Sequence, residues 1–190
     1  CRDQDARFVE GVVFAPDDHV LTTGRFVDDP GMTNSYMGMV PYWTTLRRRE
    51  HDLMSTRDYL WRWDADWFWC SRAFGMSNPV LRWLGRRWML RSSAYWKILT
   101  YYRKWKLETR VRRFKRFFGI PVALREPVIQ DLEIPYERCE EFLDFYHRNI
   151  DIRPCWVCPV VPRPSRRPWT LYPMRAGVLH LNFGFWESVP

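Results

Sequence analysis

The stretch that decides the fold is GVLHLNFGFW (177–186), an apolar run interrupted by two polar side chains. Its Val, Leu and Phe content predicts a β-strand. Because successive side chains of a strand point to opposite faces, His180 and Asn182 share one face, opposite Leu181 and Phe183. A polar pair on such a strand either faces a cavity or marks a solvent-facing edge, and the sequence leaves both interpretations open.

A second strand, PVIQDLEIP (127–135), carries the next informative polar groups. Alternation places Asp131 and Glu133 on one side of it and Leu132 and Ile134 on the other. A carboxylate on a buried sheet face must be paired, protonated or directed at a ligand. If the sheet floors an active site, Asp131 is its most evident polar group. The alternative is that this face is simply solvated.

The remaining segments can be arranged around these two strands. Further strands are predicted at 6–15, 20–28 and 153–161, and an amphipathic helix is predicted at 136–150. The order is therefore β-β, a helical insertion over about 41–120, and then β-α-β-β. This order predicts an α+β fold: an antiparallel sheet covered by helices, with a large helical insertion between the second and third strands.

Helical segments are expected inside the irregular insertion, among them VLRWLGRRWML (80–90). PYWTTLRRREHDL (41–53) starts with a proline, which suits the first turn of a helix. The longest predicted helix runs from Ser93 to Phe118, because apolar residues recur there at helical spacing, with a small shift midway. Gly119 and Pro121 then supply a stop signal.

The segment 59–72 mixes Trp with Arg and Asp. Flat rings with interspersed charges can form the wall of a pocket for a large flat ligand. They can equally form a core beneath a charged surface, and the sequence does not decide between the two. The candidate substrate-binding residues of this segment are Tyr59, Arg62 and Trp67.

The formal charge of +8 comes from one stretch. Residues 82–116 hold thirteen Lys or Arg against one acid, Glu108, a net charge of +12, interleaved with aromatic rings. Such a stretch predicts an amphipathic helix on anionic lipid, a nucleic-acid site, or a solvated helix whose long stems cover apolar surface. No nucleic-acid motif supports the second interpretation, so no nucleic acid is expected as a partner.

Several classes of protein are excluded by composition. The chain of 190 residues is 46% hydrophobic, enough for one well-filled domain, but no apolar run approaches the ~20 residues that span a bilayer.

Cys155 and Cys158 have CxxC spacing, yet the sequence has no second ligand pair for zinc, and a redox CxxC belongs at a helix start. These cysteines are predicted to pack as small apolar residues, and no metal is predicted. The odd count of five cysteines indicates free thiols in a reducing compartment.

Several segments, in order along nearly the whole chain, together resemble the Δ24-sterol reductase-like enzymes. The similar segments are Phe8–Gly11, Thr22–Gly24, Thr33–Ser35, Pro41–Trp43, Phe74–Gly75, Asn78–Arg82, Val128–Asp131, Pro154–Pro159 and His180–Gly184. The last two are similar to Pro-Ile-Trp-Leu-Cys-Pro and Tyr-Ile-Asp-Ile-Gly motifs of that family. The Trp- and Asp-rich form of 61–72 is similar to the actinobacterial branch.

The resemblance implies a place among the FAD-linked oxidases of the vanillyl-alcohol-oxidase type, which combine an FAD-binding domain with a substrate-binding cap domain. Residues 1–190, which begin at Cys1 rather than Met, are then expected to be part of the cap domain, without the FAD-binding domain and the C-terminal segment. The implied reaction is reduction of a C=C bond by hydride from reduced flavin, with NADPH as the usual electron donor. The implied partners are a hydrophobic, sterol-like substrate and the FAD-binding domain of the same protein.

The resemblance also implies roles for individual residues. Asp131 and Asn182 match positions at which related cap domains place polar side chains over the flavin, so they are the candidate catalytic residues. Asn182 stands where the sterol enzymes have Asp, which weakens a proton-donor role for it. Trp156 and His180 are the candidate substrate-binding residues of the sheet; His180 has no counterpart in the family motif and is named for its place beside Asn182 on the strand. The residues that contact FAD are not identified in this chain.

Two other functions stay open. One is an FAD-dependent oxidase of an alcohol or lactol. The other, of a different class, is a basic non-catalytic module that binds anionic lipid or nucleic acid. The expected location is cytoplasmic, with peripheral contact at a membrane through residues 82–116.

Overall fold

The computed structural model describes residues 5–28, 31–37, 41–66, 68–70, 78–85, 91–122, 126–165, 170–171 and 173–189. The strands are β1 Phe8–Ala15, β2 Asp18–Gly24, β3 Glu126–Pro135, β4 Cys155–Val160 and β5 His180–Val189. The α-helices are α1 Thr56–Trp61, α2 Pro79–Gly85, α3 Ser92–Lys104, α4 Leu107–Phe117 and α5 Cys139–Asn149. Short 3-10 helices cover Tyr42–Thr44 and Tyr136–Arg138. None of the helices described in these ranges is long and apolar enough to cross a membrane.

The five strands form one antiparallel sheet in the order β2-β1-β4-β5-β3. The β1–β2 hairpin turns at Pro16 and Asp17, residue types that favour tight turns. The α+β class with an antiparallel sheet is therefore confirmed. The chain divides into two compact units, one containing the sheet and α5 (residues 1–27 and 126–189) and one running from Asp28 to Arg125, which contains α1 to α4.

The core of the sheet unit lies between the sheet and α5. The rings of Phe142 and Phe183 lie 4.9 Å apart, and those of Tyr146 and Phe185 lie 5.0 Å apart. Cys155 is fully buried in the same cluster. The predicted apolar face of the 136–150 helix is confirmed, because Phe142 and Tyr146 point at the sheet with acids on the outer side. Each buried ring removes roughly 150–250 Å² from water, so this contact stabilises the unit.

The core of the helical unit is aromatic. The buried rings of Tyr42 and Trp63 meet edge to face at 5.2 Å, and Trp63 in turn meets Trp69 at 6.1 Å. Asp66, also buried, accepts a hydrogen bond from Trp43 Nε1 at 3.1 Å. For Trp63 and Trp69 the structure therefore favours the core interpretation of the Trp-rich segment over the pocket wall.

The predicted helix from Pro41 is wrong beyond one 3-10 turn. Thr44 and Thr45 donate their hydroxyl groups to the carbonyls of Pro41 and Tyr42, a local hydrogen-bonding mode that competes with helix propagation. The helix begins instead at Thr56, where the hydroxyl of Ser55 accepts a hydrogen bond from the backbone N–H of Asp58 at 3.1 Å.

The predicted single helix from Ser93 to Phe118 is also wrong. It is broken into α3 and α4 at Lys106, which adopts the left-handed conformation with φ 48° and ψ 40°. No Gly or Pro marks the break, but the two apolar stripes of the segment are out of phase. A break between them fits that shift, because one straight helix would place the two stripes in different directions.

Two predicted strand boundaries shift. The second strand, expected at 20–28, spans Asp18–Gly24 and ends where Gly24 pairs with Phe8. The last strand, expected at 177–186, begins at His180, because Gly177 has a φ of +75° in a turn. It then continues to Val189 alongside β3.

Candidate functional site

The face of the sheet opposite α5 carries a continuous polar row. Its members, one from each strand in spatial order, are Thr22, Glu10, Cys158, Asn182 and Glu133. Glu10 pairs with Thr22 on β2, and Asn182 pairs with both Cys158 on β4 and Glu133 on β3. The pairing of Gly11 with Val157 places Glu10 next to Cys158. These residues share a face because the side-chain period of a strand is two.

The next row along the same face centres on Gly184, which pairs with Trp156 on β4 and Asp131 on β3. A Cβ atom at Gly184 would lie 2.8 Å from Asp131 Oδ1, 3.4 Å from Trp156 Cε3 and 3.7 Å from Asn182 Oδ1. The missing side chain therefore leaves the space into which Asp131 leans. Three residues that the sequence marked separately, on three strands, thus converge around one glycine.

Asn182 and Glu133 form the hydrogen-bonded centre of the polar row. Asn182 Nδ2 donates to Glu133 Oε1 at 2.8 Å. Within the described ranges, Asn182 Oδ1 and Glu133 Oε2 are buried and accept no hydrogen bond. A buried acceptor left unsatisfied costs about 1–3 kcal/mol, so these two oxygens suit an N–H or O–H donor of a ligand. Because β5 lies inside the sheet and both His180 and Asn182 are buried, the solvent-facing-edge interpretation of this polar pair is wrong.

The thiol of Cys158 lies among the negatively charged carboxylates of this face. Burial, as the larger cause, and the carboxylates of Glu133, Glu10 and Asp131 together raise the pKa of its thiol to about 11. The causes act together because both desolvation and nearby negative charge disfavour a thiolate. The thiol is therefore protonated near neutral pH, and Cys158 is not an activated nucleophile.

The CxxC pair is not a joint site. Cys155 faces the core against α5, whereas Cys158 lies on the polar face, because residues three apart in a strand point in opposite directions. Burial raises the pKa of the Cys155 thiol to about 12. Both thiols are free, and the described ranges contain no group of three or more His, Cys, Asp or Glu side chains that could hold a metal ion.

His180 lies on the polar face two residues before Asn182, and both are buried, with 5% and 7% of their surface exposed. Its Nδ1 lies 2.9 Å from the Val178 carbonyl oxygen. A carbonyl only accepts hydrogen bonds, so Nδ1 is the donor in this contact. His180 thus adds an imidazole ring to the same face.

The candidate residues of the helical unit form a separate cluster. The guanidinium of Arg62 lies 3.8 Å from the centroid of the Tyr59 ring and 5.5 Å from that of Tyr42. Arg62 Nη1 also donates to the Tyr59 carbonyl at 2.7 Å. Arg62 and Tyr59 are thus brought together, in the unit that does not contain the polar face. Trp67, the third candidate, lies outside the described residues.

Four members of the polar face were not identified from the sequence: Thr22, Glu10, Cys158 and Gly184. A signal for Glu10 was present, since it is the single charged residue in the apolar run FVEGVVFA of β1. A single acid in a buried strand must, like Asp131, be paired, protonated or directed at a ligand. Cys158 and Gly184 carried no such signal, because their place depends on which strands are neighbours.

A surface groove of about 830 Å³ lies between the β1–β2 hairpin and α5. Its walls include His19, Leu143 and His147, and it contains none of the residues predicted for function. It lies on the α5 side of the sheet, since His19 pairs with Val13 of the core cluster. The polar face and this groove are therefore distinct surfaces.

The chain is similar to a curated protein of Caenorhabditis elegans, described as a Delta(24)-sterol reductase homolog. The two are 26% identical over 172 residues, which cover 82% of this chain and 30% of that protein. The chain thus spans less than a third of the length of this relative. No family model and no solved structure matches. The similarity supports a sterol-reductase-like relationship.

Proposed function

We propose that this chain is the substrate-binding, or cap, part of an FAD-dependent oxidoreductase that reduces a C=C bond in a hydrophobic, sterol-like substrate. The observation that carries the proposal is the convergence of Asp131, Asn182 and Trp156 around Gly184. The similarity to a sterol reductase homolog supports the class of reaction. The sheet would be the surface over which the substrate's double bond lies.

The chemistry of an isolated double bond explains why carboxyl groups suit this role. Such a bond has no carbonyl to accept electrons, so a hydride adds to one carbon only as a proton is delivered to the other. Positive charge develops on the substrate in between, and carboxylates and the face of an indole stabilise positive charge. Asp131, Glu133 and Trp156 provide these groups on one face.

The polar face fits an uncharged ring and does not fit a diphosphate. None of the five strands contains Lys or Arg, whereas Glu10, Asp131 and Glu133 all lie on this face. Phosphate oxygens would be repelled there. The unsatisfied acceptors Asn182 Oδ1 and Glu133 Oε2 suit instead the N–H group of a flavin ring or a substrate hydroxyl.

The remainder of the cofactor would be held by an FAD-binding domain elsewhere in the same protein. When bound, the reduced flavin supplies the hydride, with NADPH as the proposed electron donor. In this chain, Asp131 would relay a proton from solvent to the substrate carbon, and Asn182 Oδ1 would orient a flavin N–H or substrate hydroxyl by accepting its hydrogen bond. Trp156 and His180 would contact the substrate, and Tyr59, Arg62 and Trp67 remain predicted substrate contacts from the helical unit.

The first test replaces Asp131 with Asn in the complete protein. The amide keeps the shape of the side chain but cannot supply the proton, so the single-turnover rate of flavin oxidation by substrate should fall by about 10² or more. Asp131 is exposed, so the free energy of unfolding should change by less than about 0.5 kcal/mol. The matched control is Asp144→Asn on the exposed side of α5, which should leave both quantities unchanged.

A rate within about twofold of the unmodified protein would assign Asp131 to the scaffold and overturn its catalytic role.

The cofactor is tested on the same preparation by its absorption spectrum. A flavin spectrum with slow reoxidation of the reduced form by O₂ supports the reductase. Rapid reoxidation supports the alcohol or lactol oxidase instead, and a colourless complete protein overturns the flavin proposal.

A further inference from the structure

The helix α4 presents an apolar stripe to solvent. Leu107, Val111, Phe114 and Phe118 recur at spacings of four, three and four residues, so they lie along one side of the helix. All are exposed, as is Phe117, which leaves 83% of its surface accessible. The rings of Phe114 and Phe118 lie 4.6 Å apart, and Phe117 meets Phe118 edge to face at 5.1 Å. These five residues are called the α4 stripe below.

Basic residues flank the α4 stripe. Arg110 and Lys115 lie on either side of it at helical spacing, and Arg113 and Arg116 lie behind them. Long basic side chains at the edge of an apolar stripe can lay their stems along the apolar surface while their charges reach outward. Arg110 already extends over the ring of Trp105, 5.9 Å from its centroid.

This arrangement is the one that an interfacial membrane helix needs. The apolar side enters the boundary between headgroups and acyl chains, the aromatic rings lie at that depth, and the flanking cations meet anionic headgroups. Trp83 in α2, Trp96 in α3 and Trp105 just after α3 are also exposed, and rings of this type are enriched at membrane interfaces. The nearly one-signed charge of residues 82–116 matches an anionic bilayer and opposes a second copy of the same surface.

We propose that α4, through the α4 stripe and its basic flanks, docks this protein on an anionic phospholipid bilayer. The proposal goes beyond the reaction, because it concerns a surface that contains none of the candidate catalytic residues. A docked enzyme would take up a hydrophobic substrate from the medium in which such molecules concentrate. The basic side chains beside the α4 stripe attract the protein to the anionic bilayer, and the aromatic rings of the stripe then contact the lipid.

The test measures sedimentation of the complete protein with phosphatidylcholine vesicles that contain either no anionic lipid or about 30% phosphatidylserine. Binding should need phosphatidylserine and should weaken as salt is added. Reversing three charges, with Arg110, Arg113 and Arg116 changed to Glu, should weaken binding at least about a hundredfold. Changing Phe114 and Phe117 to Ser should weaken it about tenfold or more while keeping every charge.

Matched controls lie outside the helical unit. Arg163→Glu with Arg175→Glu changes exposed charges, and Leu171→Ser changes the side chain that is 97% exposed, without touching α4. Both should bind as the unmodified protein does, and circular dichroism should show every variant folded. Equal loss in the controls, or binding unaffected by the α4 changes, would overturn the proposal.

Two further outcomes would overturn the proposal in favour of another partner. If the Phe114 and Phe117 variant turns a dimer into a monomer in size-exclusion chromatography while vesicles fail to bind, the stripe is an interface between copies. If single-stranded nucleic acid binds through the three arginines and displaces no lipid, the surface is a nucleic-acid site. Flavin content and turnover with a detergent-solubilised substrate are independent of all three outcomes, so failure here leaves the proposed reaction to its own test.

Discussion

Gly184 shapes the polar face because it has no Cβ atom. Its position next to Asp131 and Trp156 makes the space above it part of the polar face, and Asp131 Oδ1 lies 2.8 Å from the place where a Cβ atom would stand. The neighbour that must move on substitution is the end of an exposed carboxylate, which moves at little energetic cost. The position of Asp131, rather than the stability of the sheet, is therefore sensitive to this residue.

Changing Gly184 to Ala in the complete protein should lower turnover by about tenfold to a hundredfold, because the carboxylate of Asp131 is displaced by the order of 1 Å. The free energy of unfolding, measured by urea titration, should change by less than about 1 kcal/mol. Gly11→Ala is the matched control. Its Cβ atom would lie 3.3 Å from the backbone oxygen of Val20, which cannot swing aside.

That control should therefore show the opposite pattern, with a loss of about 1–3 kcal/mol of stability and normal turnover per folded molecule. If Gly184→Ala destabilises as much as Gly11→Ala and leaves turnover intact, Gly184 is only a packing position.

At the scale of elements, the spacing of apolar residues predicted more than the positions of Gly and Pro did. The strand around Asp131 and the helix around Tyr146 were placed within a few residues, because each has one strong apolar period and a buried face to satisfy. The break at Lys106 was missed, because no Gly or Pro marks it. It follows instead from a shift in phase between two apolar stripes, which a search for stop residues does not detect.

Two lysines near this break should respond oppositely to the same substitution. Lys106 holds a left-handed conformation that costs a non-glycine residue about 1–2 kcal/mol, so Lys106→Gly should raise the free energy of unfolding by up to about 1 kcal/mol. Lys104 lies in the last turn of α3, where Lys104→Gly should lower it by about 1 kcal/mol. Thermal and urea unfolding of the complete protein measure both changes. A loss of stability in both variants would contradict the assignment of strain to Lys106.

At the scale of the molecule, the sequence predicted the fold class and the faces of single strands, but not the site as a whole. Asp131, Asn182 and Trp156 were each marked by local pattern or resemblance. That they meet depends on the strand order β2-β1-β4-β5-β3, in which β3 and β5, far apart in sequence, become neighbours. Glu10 joins the row for the same reason, through the pairing of β1 with β4.

The row of acids also predicts how stability depends on pH. The pKa of Cys158 is raised from 9.0 to about 11 by burial and by its carboxylate neighbours. A folded-state value above the unfolded one means that its contribution is complete below pH 9 and is lost as the pH rises towards 11. Between about pH 8 and about pH 10 the free energy of unfolding should fall by about 1 kcal/mol more in the unmodified protein than in Cys158→Ser.

Urea titrations at the two pH values provide the measurement, with Cys70→Ser in the helical unit as the matched control. That variant should keep the full alkaline loss. If Cys158→Ser loses as much stability as the unmodified protein, Cys158 does not lie in the negative field described for it.

The five members of the polar row come from residues 10 to 22 and 133 to 182, and none comes from the stretch between β2 and β3. Exchanging residues 28–125 between related proteins would transplant the aromatic core and α4 while leaving every acid of the sheet in place. The polar face of the sheet and the proposed membrane-docking helix would then be inherited as separate segments. A family could therefore change where such an enzyme binds in the cell without changing the polar face.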